Sequence, residues 1–211
     1  MLMEMTVNEF LRLLSSDAPA PGGGSAAALN GALAAALLTK VCRLSIGRKE
    51  LDGYEDELLS VLEEAEKLRN ELTGLVDRDT KTFNQVMDAY KMPKITDQEK
   101  TARDTAIQDA SRIATEVPLE VARHCCLLLK LTVNISQKSN SNTASDLGVS
   151  AQCSYGATLG GLMNAEINIP TIKDGAYASK IIDETKQIRE KAESLKSEMD
   201  SVIAHSIFSD N

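Results

Sequence analysis

An aspartate on an apolar stripe is the clearest candidate for chemistry in this sequence. From about Asp52 to Tyr90, apolar residues recur at steps of three or four: Leu58, Leu62, Ala65, Leu68, Leu72, Leu75, then Phe83, Val86 and Tyr90. That period predicts one long helix, ended by Pro93. The stripe passes through position 79, and position 79 is Asp79. Asp77 falls about 200° away around the helix, with Lys81 and Asn84, on the face expected to meet solvent. Burying a carboxylate is costly unless it is paired, hydrogen-bonded or neutralised. Such a group commonly has a shifted pKa, which suits proton transfer. A salt bridge or an interhelical hydrogen bond would explain the same pattern.

A second candidate is the turn Pro19-Ala20-Pro21-Gly22-Gly23-Gly24-Ser25, which runs into a long Ala/Leu segment. Prolines and glycines permit a sharp bend and a close approach of the backbone to another group. Ser25 stands where a helix N-cap belongs, and the free N–H groups of Gly23, Gly24 and Ser25 would favour an anionic group. A capped, buried core helix fits the same residues. No Lys-Ser/Thr pair follows the glycines, so this is not a nucleotide-binding P-loop.

The elements that must position these residues are all helical. Thr6 and Glu9 form a capping box ahead of a short amphipathic helix carrying Val7, Phe10, Leu11 and Leu14. The Ser25 helix ends near Gly47. Thr96 and Glu99 make a second capping box, for a helix to about Val117. Pro118 is expected to break or kink it and can open another, with Val121, Cys125, Leu128, Leu129 and Val133. After a polar segment, Ala144 to about Ile167 is dense in small residues. A last helix, about Ala176 to Ser206, repeats Ile181, Ile188, Leu195 and Val202 with Thr185, Ala192 and Met199, a heptad seam. The expectation is an all-α, single-domain bundle of about seven helices spanning 1–211.

Composition narrows the function. Of 211 residues 43% are hydrophobic but only 3% aromatic, so the core must be aliphatic. The net charge of −8 argues against nucleic acid or an anionic membrane as partner. Cys42, Cys125, Cys126 and Cys153 include no Cys-x-x-Cys pair and read as free thiols in a reducing compartment. His124 adjoins two cysteines, but neighbours on a helix point in different directions, so no metal site is expected; His205 is the other histidine. The start of the chain lacks a signal-peptide pattern. The longest apolar run is interrupted by Asn30 and Gly31 and is expected to fall short of a membrane span. A cytoplasmic protein is expected.

Three segments resemble one family. Pro-x-Pro-Gly-Gly-Gly-Ser-x-Ala-Ala, Asp77-Arg78-Asp79-Thr80-Lys81-Thr82-Phe83 and Asn140-x-Asn142-x-x-Ser145-Asp146-Leu147 are similar, in order and spacing, to the cyclodeaminase/cyclohydrolase family of folate enzymes. The resemblance implies an enzyme that closes or opens the N5–N10 ring of a tetrahydrofolate derivative, with no metal or other cofactor. It implies Asp79 as catalytic acid/base. It also implies a substrate site drawn from Gly23, Gly24, Ser25, Arg48, Phe83, Asn140, Asn142 and Asp146. In that site Arg48 would meet a substrate carboxylate, Asn140 and Asn142 the pterin amide edge, and Asp146 would orient them. A homodimer is implied as well. No fused transferase half is seen, which favours a stand-alone cyclohydrolase or a partner-supplied cyclodeaminase. The rival is a non-catalytic helical interaction protein, which would gain little from a carboxylate on a core stripe.

Overall fold

Capping boxes start two helices at the expected places. Thr6 and Glu9 exchange side-chain and backbone hydrogen bonds at the head of α1, Val7–Leu14, and Thr96 and Glu99 do the same for α4, Asp97–Asn134. The other helices of this computed structural model are α2, Gly23–Ser45, α3, Glu55–Lys91, α5, Ala144–Glu166, and α6, Gly175–Phe208. Residues 1–208 are described, with side chains to Ala204, so the His205 side chain lies outside the described residues. No strand occurs among the described residues. The all-α expectation holds, with six α-helices among the described residues rather than about seven.

The missing division is at Pro118, which sits inside a continuous α4. A helical proline has no N–H for the carbonyl four residues earlier. That carbonyl belongs to Ala114, and it accepts instead from Asn168 Nδ2 at 2.9 Å. A side chain just beyond α5 thus replaces the lost backbone bond.

α2 is the central helix, packed on α3 and α5 and touching α4. It lies antiparallel to α5. Ala27 meets Gly160, Asn30 Nδ2 donates to the Cys153 carbonyl at 3.1 Å, and Ser150 Oγ donates to the Ala34 carbonyl at 2.9 Å. The two residues that interrupt the apolar run therefore sit at helix contacts. A Cβ on Gly31 would lie 2.5 Å from Cys125 Sγ and 3.2 Å from the Leu72 methyls, so side chains of α3 and α4 fill the space against the α2 backbone there. By length and hydropathy α2 would suffice to cross a membrane, which corrects the expectation that the run falls short. In this fold 61% of its apolar window is buried inside the bundle.

The core is aliphatic, with Leu38, Leu58, Leu68, Leu72, Leu128 and Leu129 fully enclosed. The α6 seam buries Ile181, Thr185, Ala192 and Met199. Ile181 packs with Leu119 and Ala122 of α4 and Leu162 and Ala165 of α5, so the seam closes this chain's own core. α1 buries only Phe10; Val7 and Leu11 are exposed. The four cysteines are free, and burial pushes the Cys42 thiol up to about 12.

The α4–α5 contact depends on Gly161, where a Cβ would lie 2.7 Å from the Pro118 carbonyl oxygen and 2.9 Å from the Ala122 nitrogen. Backbone cannot yield as a flexible side chain can. Gly161→Ala should destabilise the fold by about 1–3 kcal/mol. Gly74→Ala, on α3 with open space around it, should instead stabilise by about 0.5–1 kcal/mol. Urea unfolding of both variants checks the pair; equal effects would mean that α4 and α5 are not in this close contact.

Candidate active site

The Asp79 carboxylate lies directly over Gly24. A Cβ at position 24 would fall 2.1 Å from Asp79 Oδ1 and 2.8 Å from Oδ2. Only glycine lets the first turn of α2 come this near to α3. The N-cap of α2 is Gly22, not Ser25, because the glycine run itself makes the first turn. Ser25 is the third residue of the helix and is fully buried, its hydroxyl turned across to α3.

Ser25 Oγ stands 2.9 Å from the Val76 carbonyl oxygen, 2.9 Å from Asp79 Oδ2 and 3.1 Å from Thr80 Oγ1. A hydroxyl has one proton to donate. With Asp79 charged, Ser25 gives it to the carboxylate. With Asp79 protonated, the acid gives its proton to Ser25, whose own proton turns to the Val76 carbonyl. One rotation of the hydroxyl serves both protonation states, which is what a proton-transfer group requires.

Burial raises the Asp79 pKa above its ordinary value of 3.8, while the Ser25 hydroxyl and N–H oppose the rise by favouring the charged form. The anion at the start of α2 is thus the protein's own Asp79. The first-turn N–H groups of Gly23 and Gly24 have no acceptor within the helix.

These groups open on a cavity of about 370 Å³, within the range of small-molecule sites. Gly23, Gly24 and Asp79 form one side; Phe83, Val86 and Pro118 give apolar walls; Asn164 and Asn168 supply amides. Asp77 does not line it. Asp77 is half-buried rather than simply solvated, because its Oδ1 accepts from the Leu2 N–H at 2.6 Å and holds the N-terminal turn. Lys81 and Asn84 are exposed, as the helical phase requires. Among the described residues no cluster of three His, Cys, Asp or Glu is placed to hold a metal.

Of the residues singled out in the sequence, Gly23, Gly24, Ser25, Asp79 and Phe83 come together here. Arg48, Asn140, Asn142 and Asp146 do not. Asn140 Nδ2 donates to the Leu44 carbonyl and its N–H to Ser45 Oγ, at the C-terminal end of α2. Asn142 N–H donates to Asn140 Oδ1, Asp146 pairs with Lys40 at 2.7 Å, and Arg48 pairs with Glu50 at 2.7 Å. α2 has 23 residues, a rise of about 33 Å. Within one chain this second cluster therefore cannot reach Asp79. The antiparallel packing is the cause, since it sets the start of α5 beside the end of α2. The end of α5 lines the cavity instead, and Asn164 on it and Asn168 just beyond it were not anticipated. Pro118 was the available signal, since a proline inside a helix leaves a carbonyl that needs a donor.

Fold and site together define an all-α protein with a half-buried acid set against a glycine turn. Residues 6–187 match the formiminotransferase-cyclodeaminase family, and the chain belongs to that family. It is 40% identical over 190 residues to methenyltetrahydrofolate cyclohydrolase of Methylorubrum extorquens, covering 90% of this chain and 91% of that protein. It is 31% identical over 179 residues to formimidoyltransferase-cyclodeaminase of Rattus norvegicus, covering 85% of this chain and 33% of that protein. The backbone matches crystalline formiminotetrahydrofolate cyclodeaminase from Thermotoga maritima with a TM-score of 0.88 and 24% identity. That match covers 99% of this chain and 100% of the other, and it establishes the shared fold.

Removing the Ser25 hydroxyl takes away a hydrogen bond to the charged form of Asp79, so Ser25→Ala should raise the Asp79 pKa further. Carboxyl-carbon NMR titration of the two proteins measures it. A pKa that is unchanged or lower would show that the hydroxyl does not act on the acid.

Proposed function

We propose that this chain is a tetrahydrofolate one-carbon enzyme, a methenyltetrahydrofolate cyclohydrolase with Asp79 as its proton-transfer group. The observation that carries the reading is the burial-raised acid on Gly24, opening on a cavity lined by Phe83 and two amides. The 40% identity to a cyclohydrolase over nine-tenths of both chains supports this direction of the reaction.

In the proposed reaction, water adds to the methenyl carbon as Asp79 accepts a water proton. A tetrahedral carbon forms, and the electron pair of the former carbon–nitrogen double bond goes to nitrogen. Asp79 then returns a proton to the departing ring nitrogen, one carbon–nitrogen bond opens, and a formyl group is left. The substrate cation becomes neutral, so one proton passes to solvent. The positions of Gly23, Gly24 and Phe83 let the ring system lie across the glycine turn. Nothing beyond the folate substrate is called on as cofactor, and the reaction is assigned to the cytoplasm.

Formimidoyltetrahydrofolate cyclodeaminase is the second reading, favoured by the similarity to formimidoyltransferase-cyclodeaminases. There N10 attacks the formimidoyl carbon on N5, ammonia leaves, and the same acid would move the protons. Parallel assays with methenyl- and formimidoyltetrahydrofolate separate the two. A protein that turns over neither and gains no thermal stability from folate would be the non-catalytic alternative.

Asp79→Asn keeps the size of the group and loses the titrating proton. Turnover should fall about 10²-fold or more, the range for loss of an acid/base group. The fold should survive. Because the folded-state pKa is raised, the stability contribution of Asp79 is lost as pH rises from the unfolded value through the folded one. The amide removes that loss, so the melting temperature at pH 7 should be no lower than that of the unaltered protein. Asp77→Asn, outside the cavity, should change turnover much less. Full turnover in Asp79→Asn would overturn the assignment.

We also propose a homodimer. With the α6 seam used internally, α2 and α5 still offer apolar surface, where Leu33, Val149 and Met163 are each more than half exposed. Light scattering at micromolar concentration should give twice 22.8 kDa. Leu33→Glu should shift the mass toward the monomer, and a monomeric unaltered protein would overturn the assignment.

A further inference from the structure

The cavity has two amides that the proposed chemistry does not use, and their orientation is fixed by their partners. Asn164 Nδ2 donates to the Gly160 carbonyl at 2.8 Å. Asn168 Nδ2 donates to the Ala114 carbonyl and to the Asn164 carbonyl, both at 2.9 Å. A backbone carbonyl can only accept, so the nitrogen of each amide must face it. The two Oδ1 atoms are then left as acceptors on residues that line the cavity.

Their placement relative to the acid is equally specific. Where Asp79 covers Gly24, Asn164 covers Gly23; a Cβ there would lie 3.1 Å from Asn164 Nδ2 and 3.2 Å from Oδ1. Consecutive Cα atoms are about 3.8 Å apart. The amide and the acid therefore stand side by side above neighbouring residues of one turn, with Phe83, Val86 and Pro118 as apolar walls. A flat ring lying across that turn presents one edge to Asn164 while its reacting atoms stay near Asp79.

A reduced pterin carries its donors on one edge, as the 2-amino group and the adjacent ring N–H. We propose that Asn164 Oδ1 accepts from the 2-amino group and so sets the register of the ring against Asp79, with Asn168 Oδ1 as the neighbouring acceptor. The proposal rests on the folate reading above. It gives Asn164 and Asn168 the recognition of the pterin edge that the sequence resemblance had implied for Asn140 and Asn142, and the exchange follows from the antiparallel seating of α5 on α2.

Asn164 is the residue to test, because Asn168 also serves the carbonyl freed by Pro118. Asn164→Ala keeps a strong helix former in α5 and loses only a bond within its own helix. Binding of 5-formyltetrahydrofolate and of its 2-desamino-2-methyl counterpart is measured by calorimetry on both proteins. The unaltered protein should prefer the amino compound by about tenfold, the scale of one neutral hydrogen bond. Asn164→Ala should bind the two compounds equally, with KM raised by a similar factor and kcat changed much less. A merely structural role for Asn164 would lower affinity for both compounds and keep the preference, and that result overturns the proposal. An unaltered protein that turns over methenyltetrahydrofolate yet shows no preference for the amino compound also overturns it. If the unaltered protein binds neither compound and turns over no folate, the folate reading fails, and this inference with it.

Discussion

The space above Gly24 is too small for both a side chain and a carboxylate, and the fold gives it to the carboxylate. Much else follows from that exclusion. Asp79 reaches the first turn of α2 only because residues 22–24 bring no Cβ. Once there, it meets the hydroxyl and N–H of Ser25, which favour its charged form, while burial disfavours it. Without those partners burial would raise the pKa further; exposed to water, the acid would lose the burial contribution. Of the two opposed influences burial is the larger, so the Asp79 pKa lies above its ordinary value.

Small residues extend the same logic along α2. Gly31 admits Cys125 and Leu72, Ala27 meets Gly160, and Gly161 sits against the backbone of α4. Helices that approach this closely cannot slide or turn far without collision, because packed interiors hold few voids. The turn of α2 that carries Gly24 is therefore held in register with both Asp79 on α3 and Asn164 on α5. A composition poor in aromatic residues serves the site in this way, since bulkier side chains would hold the helices apart.

Much of this was legible in the sequence. The phase of the α3 stripe singled out Asp79, and both capping boxes placed their helices correctly. The glycine turn was visible as a turn, but its reason was not: its partner lies 55 residues on, from Gly24 to Asp79, and periodicity says nothing about which helices meet. Ser25 looked like a cap, since a serine ahead of an alanine run usually is one; burial against α3 gave its hydroxyl a different partner. The direction of α5 was equally hidden. Small residues occur along both α2 and α5, so either orientation packs in principle, and the choice decides which asparagines approach the acid.

Pro118 joins the backbone of the fold to the polarity of the cavity. Inside α4 it leaves the Ala114 carbonyl without its helical donor, and Asn168 supplies one. The second amide hydrogen of Asn168 is used by the Asn164 carbonyl. With both hydrogens engaged, Asn168 can offer only its oxygen to a ligand. Asn164, with its nitrogen on Gly160, turns the same way. A proline in mid-helix thus does more than interrupt a hydrogen-bond ladder. It commits a neighbouring amide and leaves this end of the cavity set to accept hydrogen bonds, opposite in sense to the glycine N–H groups beside it. On the proposal above, the ligand carries donors along one edge, as the pyrimidine edge of a reduced pterin does and a plain carboxylate does not.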